Sequence, residues 1–312
     1  MNNKKWVCIL LGLSFFLTCN IAYAQQEAMY TQYMFNGLAL NPAYAGSHEA
    51  VSMTFLAREQ WTGVEGAPST QTLSVHSPIK NKRIALGLNL IRDKITVFNQ
   101  TGVNAVYAYR IPTENGTLSM GLQLGVTSYK ADFQGLNIFP PDGDDPAFSQ
   151  DVSKAMLNFG AGMYYYTNRF YLGFSVPQMI NNSLSEDIVG FDSDARQERH
   201  YFLTSGYVID VSGSVKFKPN VLFKVVGGAP VEMDLNANFL FSEVLWVGLS
   251  WRSLADFDAL LEFQVTDQLL LGYSYDFANT TDLRRVNSGS HELMINYRLR
   301  YSKKKVVTPR YF

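Results

Sequence analysis

Cysteine is almost missing from this 312-residue chain, which has only two, Cys8 and Cys19. Both fall in a leader that carries Lys4 and Lys5, an apolar run from Trp6 to Thr18, and the small-x-small triplet Ala22-Tyr23-Ala24. That layout reads as a signal peptide over residues 1–24, cut before Gln25. Cys19 follows Leu17 and Thr18 rather than small residues, which does not suit lipoprotein processing. The mature chain therefore has no thiol for a disulfide or a thiolate metal site.

Other absences narrow the function further. The formal net charge is -1, which lacks the basic excess that nucleic-acid binders use to displace counterions from phosphate. Beyond the leader no apolar run reaches the roughly 18 residues of a transmembrane helix. His48, His76, His200 and His291 are scattered, with no pair at helical metal spacing. The chain has no Gly-x-Ser-x-Gly elbow, phosphate loop or His-Glu-x-x-His. Ser74 and His76 share a strand face but lie side by side with no third orienting group. Asp142, Asp144 and Asp145 form a polar turn without the bidentate Glu of a calcium loop. No cofactor, metal or catalytic residue is expected, and the chain reads as non-enzymatic.

Aromatic residues are abundant, at 14% of the chain with 18 Tyr and 21 Phe. Apolar residues recur with period two, the strand signal. Over 117–130, Leu118, Met120, Leu122, Leu124 and Val126 oppose Ser119, Gly121, Gln123, Gly125 and Thr127. Over 231–241, Val231, Met233, Leu235, Ala237, Phe239 and Phe241 oppose Glu232, Asp234, Asn236 and Asn238. The same test predicts strands at 50–61, 70–79, 83–93, 101–112, 117–130, 155–166 and 169–178, then at 201–212, 216–226, 231–241, 244–253, 259–265, 269–278 and 290–299. The total is about fourteen.

Most of these exceed the five or six residues of a typical sandwich strand and match the nine to eleven that cross a bilayer at a tilt. The links after strands 2, 4, 6, 8, 10 and 12 are short, whereas those after 1, 3, 5, 7 and 13 are mostly longer, notably 131–154 and 179–200. Short turns on one rim and long loops on the other predict an all-β fold, a transmembrane outer-membrane β-barrel with antiparallel strands, short turns in the periplasm and outer-membrane lipid around the wall. Closure removes sheet edges that lipid would not tolerate. An even strand count predicts that both termini are periplasmic. Arg58, Arg110, Lys216, Lys218, Lys224, Glu232, Asp234, Arg252, Glu262, Asp276, Glu292 and Arg298 are expected to face the lumen. Tyr164, Tyr165, Tyr166, Phe170, Tyr171 and Trp246 are expected to form a periplasmic girdle, with Trp61 and Trp251 near the opposite rim.

Residues 25–49 precede the wall, which is assigned to 50–300, and a tail follows at 301–312. The N-terminal segment exposes Met29, Tyr30, Tyr33, Met34, Phe35, Leu38 and Leu40. Such a surface must be covered, as a plug inside the barrel, against its periplasmic mouth, or by a partner. Phe312 reads either as an assembly signal or, beyond Lys303, Lys304 and Lys305, as the tip of a periplasmic arm.

Four runs carry a family resemblance. Gln32-Tyr33-Met34-Phe35-Asn36, Asn41-Pro42-Ala43-Tyr44-Ala45-Gly46, Arg58-Glu59-Gln60-Trp61-Thr62-Gly63 and Gly66-Ala67-Pro68-Ser69-Thr70-Gln71-Thr72 resemble the start of the PorP/SprF family. The closing Pro309-Arg310-Tyr311-Phe312 is similar too, and Glu59 departs from the expected neutral polar residue. The resemblance implies a component of the type IX secretion system of Bacteroidetes, linked to secretion or surface anchoring of large adhesins and, in some species, to gliding motility. Its implied partners are other type IX secretion proteins and a secreted cargo, and it brings no catalytic residues. Partner contacts are expected at Gln32, Tyr33, Met34, Phe35, Asn36, Asn41, Pro42, Tyr44 and Gly46, and at Pro309, Arg310, Tyr311 and Phe312. A diffusion porin or solute transporter is the competing reading, motivated by a wet lumen and by small inward residues such as Gly121, Gly125, Gly160 and Gly162.

Overall fold

The computed structural model describes residues 29–79, 82–133, 151–184, 196–253, 257–277 and 287–299. The expected signal peptide, the tail with Pro309 to Phe312, the Asp142–Asp145 turn and the centres of both long loops lie outside the described residues.

Wherever apolar and polar residues alternate, the chain is extended. The strands are β1 (Val51–Glu59), β2 (Ser69–Pro78), β3 (Ile84–Ile95), β4 (Phe98–Pro112), β5 (Thr117–Ala131), β6 (Val152–Tyr166), β7 (Phe170–Val176) and β8 (His200–Tyr207). They continue with β9 (Ile209–Asp210), β10 (Val215–Val226), β11 (Glu232–Phe241), β12 (Leu245–Arg252), β13 (Phe257–Gln264), β14 (Leu269–Phe277) and β15 (Ser290–Leu299). Neighbours pair antiparallel, and β1 pairs with β15, so the sheet closes into a barrel.

Elements β8 and β9 are one stave of that barrel, which gives fourteen strands around the ring. Their register on β10 is unbroken, with Gly206 facing Asn220 and Ile209 facing Phe217. The interruption has a sequence cause. In this register Tyr207 faces Pro219, which has no N–H to donate to the ladder.

Alternation decides which residues meet lipid and which face inward. On β5, Met120, Leu122, Leu124 and Val126 are exposed, while Ser119, Gly121 and Thr127 are buried. On β11, Leu235, Phe239 and Phe241 point out, and Glu232, Asp234, Asn236 and Asn238 point in. A charge on the outer face is unfavourable, by roughly 2–4 kcal/mol for a Lys or Arg at mid-depth and by less for Asp or Glu, so the carboxylates of Glu232 and Asp234 belong on the inner one.

The short-turn rim is built from tight hairpins. Ser242 and Glu243 both take positive φ, 51° and 59°, the geometry of a two-residue hairpin whose twist matches the strands. Thr113 closes its turn twice, its N–H donating to Gly116 O and its Oγ1 accepting from Gly116 N–H. On the other rim the link after β3 is shorter than expected. Ile95 pairs with Phe98, so β3 and β4 run on as a hairpin beyond the predicted strand ends.

Residues 29–50 lie inside the ring. They form three 3₁₀ turns, Tyr33–Phe35, Gly37–Ala39 and Pro42–Tyr44. Asn41 caps the third by accepting the Ala43 N–H at 2.9 Å, with Pro42 at the first helical position, where a missing N–H costs nothing. Val51 faces Leu299, so both ends of the wall lie at the short-turn rim, as even parity requires. Parity does not govern the residues before Val51, and these return through the interior.

Candidate functional site

The interior is a fitted contact between the N-terminal segment and the inner faces of strands all round the barrel. Near the long-loop ends of β1, β14 and β15, the Glu292 carboxylate accepts consecutive backbone amides, Thr31 N–H at 2.9 Å and Gln32 N–H at 2.8 Å. Thr31 Oγ1 donates to Asp276 at 2.8 Å and accepts from Arg58 Nη1 at 3.0 Å. Arg58 also pairs with Glu292 at 3.1 Å and with Asp276. Register explains the cluster, since Arg58 and Glu292 are direct cross-strand partners. Charged pairs this deeply buried are sustained by such hydrogen bonding, and Arg58 Nε alone of that guanidinium is left without a partner among the described residues.

The same level continues along the wall as an ionic belt. Arg252 forks onto Asp234, with Nε and Nη2 at 3.1 and 3.0 Å from Oδ2, and also meets Glu232 at 3.3 Å. Lys224 reaches Glu232 at 3.5 Å. Asp258 is buried between these groups and Asp276, without a hydrogen-bond partner among the described residues. Lower down, Phe35 packs edge-on against Trp246, with centroids 5.5 Å apart, and the Lys218 ammonium lies 4.7 Å from the Phe35 ring. Tyr33 Oη accepts from Asn236 at 2.8 Å, and Tyr30 shares a hydrogen bond with Thr72 at 2.7 Å.

Glycines on β5, β6 and β7 make the seat for Asn41-Pro42-Ala43. Gly121 faces Gly162 across strands, and Gly173 lies one strand on. A Cβ on Gly121 would overlap Ala43 N and the Pro42 carbonyl carbon, and one on Gly162 would overlap Asn41 Oδ1. Asn41 Nδ2 then reaches the Met163 carbonyl at 3.0 Å, and Ser175 Oγ donates to the Leu40 carbonyl at 2.7 Å. The space read as lumen at Gly121 and Gly162 is thus filled by the chain's own backbone. Gly160 abuts the Pro177 carbonyl, and Gly125 abuts Asn104.

At the short-turn end, Gly46, with φ of 78°, lies against Ala85, and its N–H donates to His76 Nδ1 at 3.0 Å. Tyr44 bonds His48 at 2.9 Å, and the His48 and His76 rings, far apart in sequence, lie 5.2 Å apart. Glu49 pairs with Lys82 at 3.3 Å and with Arg110 at 3.4 Å, and Arg110 donates to Tyr166 Oη at 2.6 Å. A cavity of about 20 Å³ remains beside Tyr33, Leu40, Tyr44, Tyr164 and Tyr171, room for about one water.

Gln32, Tyr33, Met34, Phe35, Asn36, Asn41, Pro42, Tyr44 and Gly46 are therefore brought together, and all are buried against the barrel's own inner wall. Ser74 and His76 are not joined, because Ser74 Oγ donates to Asn89 and His76 serves Gly46. No group of three or more His, Cys, Asp or Glu among the described residues could hold a metal ion. The expected aromatic girdle is corrected by alternation. Tyr164, Tyr166, Tyr171 and Trp246 point inward and are buried, whereas Tyr165, Phe170 and Tyr207 form an outward aromatic row. Trp251 lies on the outer face near the long-loop end of β12, and Trp61 follows β1 on the same rim. Sequence parity carried the Trp246 signal, since it shares its face with Gly248, Ser250 and Arg252.

A family model described as "Type IX secretion system membrane protein PorP/SprF" matches residues 22–297. No curated protein matches the chain. Among solved structures, the CymD monoaromatic hydrocarbon channel is similar at 12% identity with a TM-score of 0.50, covering 92% of this chain and 96% of that one. A Pseudomonas aeruginosa FadL homologue gives 14% identity and a TM-score of 0.43, covering 80% of this chain and 89% of that one. Acinetobacter baumannii Omp33 gives 10% and 0.44, covering 81% and 100%. At these identities the likeness concerns the barrel fold.

Proposed function

Because the chain belongs to the PorP/SprF family of type IX secretion system membrane proteins, we propose that it is a non-enzymatic outer-membrane component of that system which works through its two rims, with its lumen plugged by residues 29–50. In this reading the short turns and the 301–312 tail face periplasmic secretion partners, and the long loops hold a secreted adhesin at the surface. Where the adhesin drives gliding, the barrel is part of its anchorage. What supports the proposal is the near-complete burial of residues 29–47, with Asn41-Pro42-Ala43 seated against Gly121 and Gly162. A barrel so occupied has only its rims and lipid face to offer.

The test is deletion of the gene in a cell that displays a type IX cargo. Display should be lost while small-solute uptake stays unchanged. Normal display in the deletion strain would refute the proposal. Two of the similar structures are named as a channel and a FadL homologue, which keeps the porin reading in view. That reading requires conductance that responds to charge swaps at Glu232 or Arg252.

A further inference from the structure

The N-terminal segment meets the wall at successive depths. Thr31 binds Arg58 and Asp276, each one residue from the long-loop end of its strand, and Glu292, two residues from the start of β15. Gln32 lies against Gly272 and Tyr33 against Asn236, both near mid-strand. Ala43 rests on Gly121 in the half of β5 nearer the short turns. Gly46 meets Ala85 and Pro78, and Glu49 meets Lys82, all at the short-turn rim.

We infer that the chain threads the barrel from mouth to mouth, so that the Met29 end of the segment faces the long-loop rim while β1 begins at the short-turn rim. In the orientation proposed above, on which the cellular side depends, the N-terminal end of the threaded segment opens toward the cell surface and not toward the periplasm. A return pass would need the width of a second chain beside residues 29–47, which are already almost wholly buried. The anchor also spans the closing seam, because Arg58 is on β1, Glu292 on β15 and Thr31 on the threaded segment. The backbone ladder of β1 and β15 closes the ring, and side chains that meet across that seam also hold the segment.

The absence of cysteine from the mature chain gives a clean test. A flexible Gly-Ser insertion carrying one cysteine is placed between Gln26 and Glu27 of the full chain. It is compared with Glu65→Cys in the exposed loop after β1 and Asn115→Cys in the exposed β4–β5 turn. Intact cells are treated with a polyethylene-glycol maleimide too bulky to cross the outer membrane. The inserted cysteine should be labelled together with Glu65→Cys, and Asn115→Cys only after the envelope is opened. Labelling of the insertion only with Asn115→Cys, or only after denaturation, overturns the threading. If Asn115→Cys is labelled on intact cells and Glu65→Cys is not, the proposed orientation fails; an insertion that still follows Glu65→Cys then leaves the threading standing.

Discussion

Replacing Glu292 with Ala should loosen the first turn of the inner segment while leaving the wall assembled. The side chain accepts two backbone amides and faces Arg58 from an environment with no solvent exposure. Orphaning a buried donor costs about 1–3 kcal/mol, and breaking a buried ion pair about 3–5 kcal/mol. Arg58 keeps Asp276 and Thr31 Oγ1 as partners, so a total of about 3–4 kcal/mol follows, near the low end of the ion-pair range. At about 1.4 kcal/mol per tenfold, opening of this turn rises by about two to three decades. Hydrogen–deuterium exchange of a peptide covering Thr31–Phe35, in detergent, reads that change directly. Glu59→Ala is the control, since Glu59 lies at the exposed rim and accepts only from Ser69 Oγ in the described contacts. Exchange in Glu292→Ala that matches this control would refute the anchoring role.

Three further outcomes follow from the same contacts. Gly121→Val places methyl groups where Ala43 and Pro42 lie and should lower the temperature at which the barrel loses its compact electrophoretic mobility, whereas Gly213→Ala, with nothing within 4 Å, should leave it unchanged. Phe35→Ala removes the ring against Trp246 and under Lys218; denaturant titration should show a loss of about 3–5 kcal/mol. Leu122→Arg puts a charge at an outward position that is 62% exposed to the surroundings of the barrel, and should cut folding into lipid vesicles by a free energy of about 2–4 kcal/mol.

Much of the wall was legible because a strand alternates strictly and lipid enforces the alternation. The two faces of β5 and β11 could be read residue by residue, and the tight links at Thr113–Gly116 and Ser242–Glu243 marked one rim. Errors came where a local signal was read without its parity. The run Tyr164-Tyr165-Tyr166 looked like a girdle, yet the two-residue period permits only its middle member to face lipid. Trp246 was misplaced for the same reason. The break between β8 and β9 needed the register, because Pro219 is harmless until it faces Tyr207. The interior was least legible. Nothing local ties Thr31 to Glu292 across 261 positions, and inward glycines on β5 to β7 look alike whether they line an open pore or seat a backbone. Only the excess of buried apolar residues in 29–44 signalled that something had to cover them.

The central claim is that this barrel is closed by its own N-terminal segment and acts through its rims. Planar-bilayer recording tests it most directly, comparing the purified full chain with a variant lacking residues 29–48. The full chain should insert without current steps and the deletion should give stable steps. Steady conductance by the full chain, equal to that of the deletion, would contradict the account.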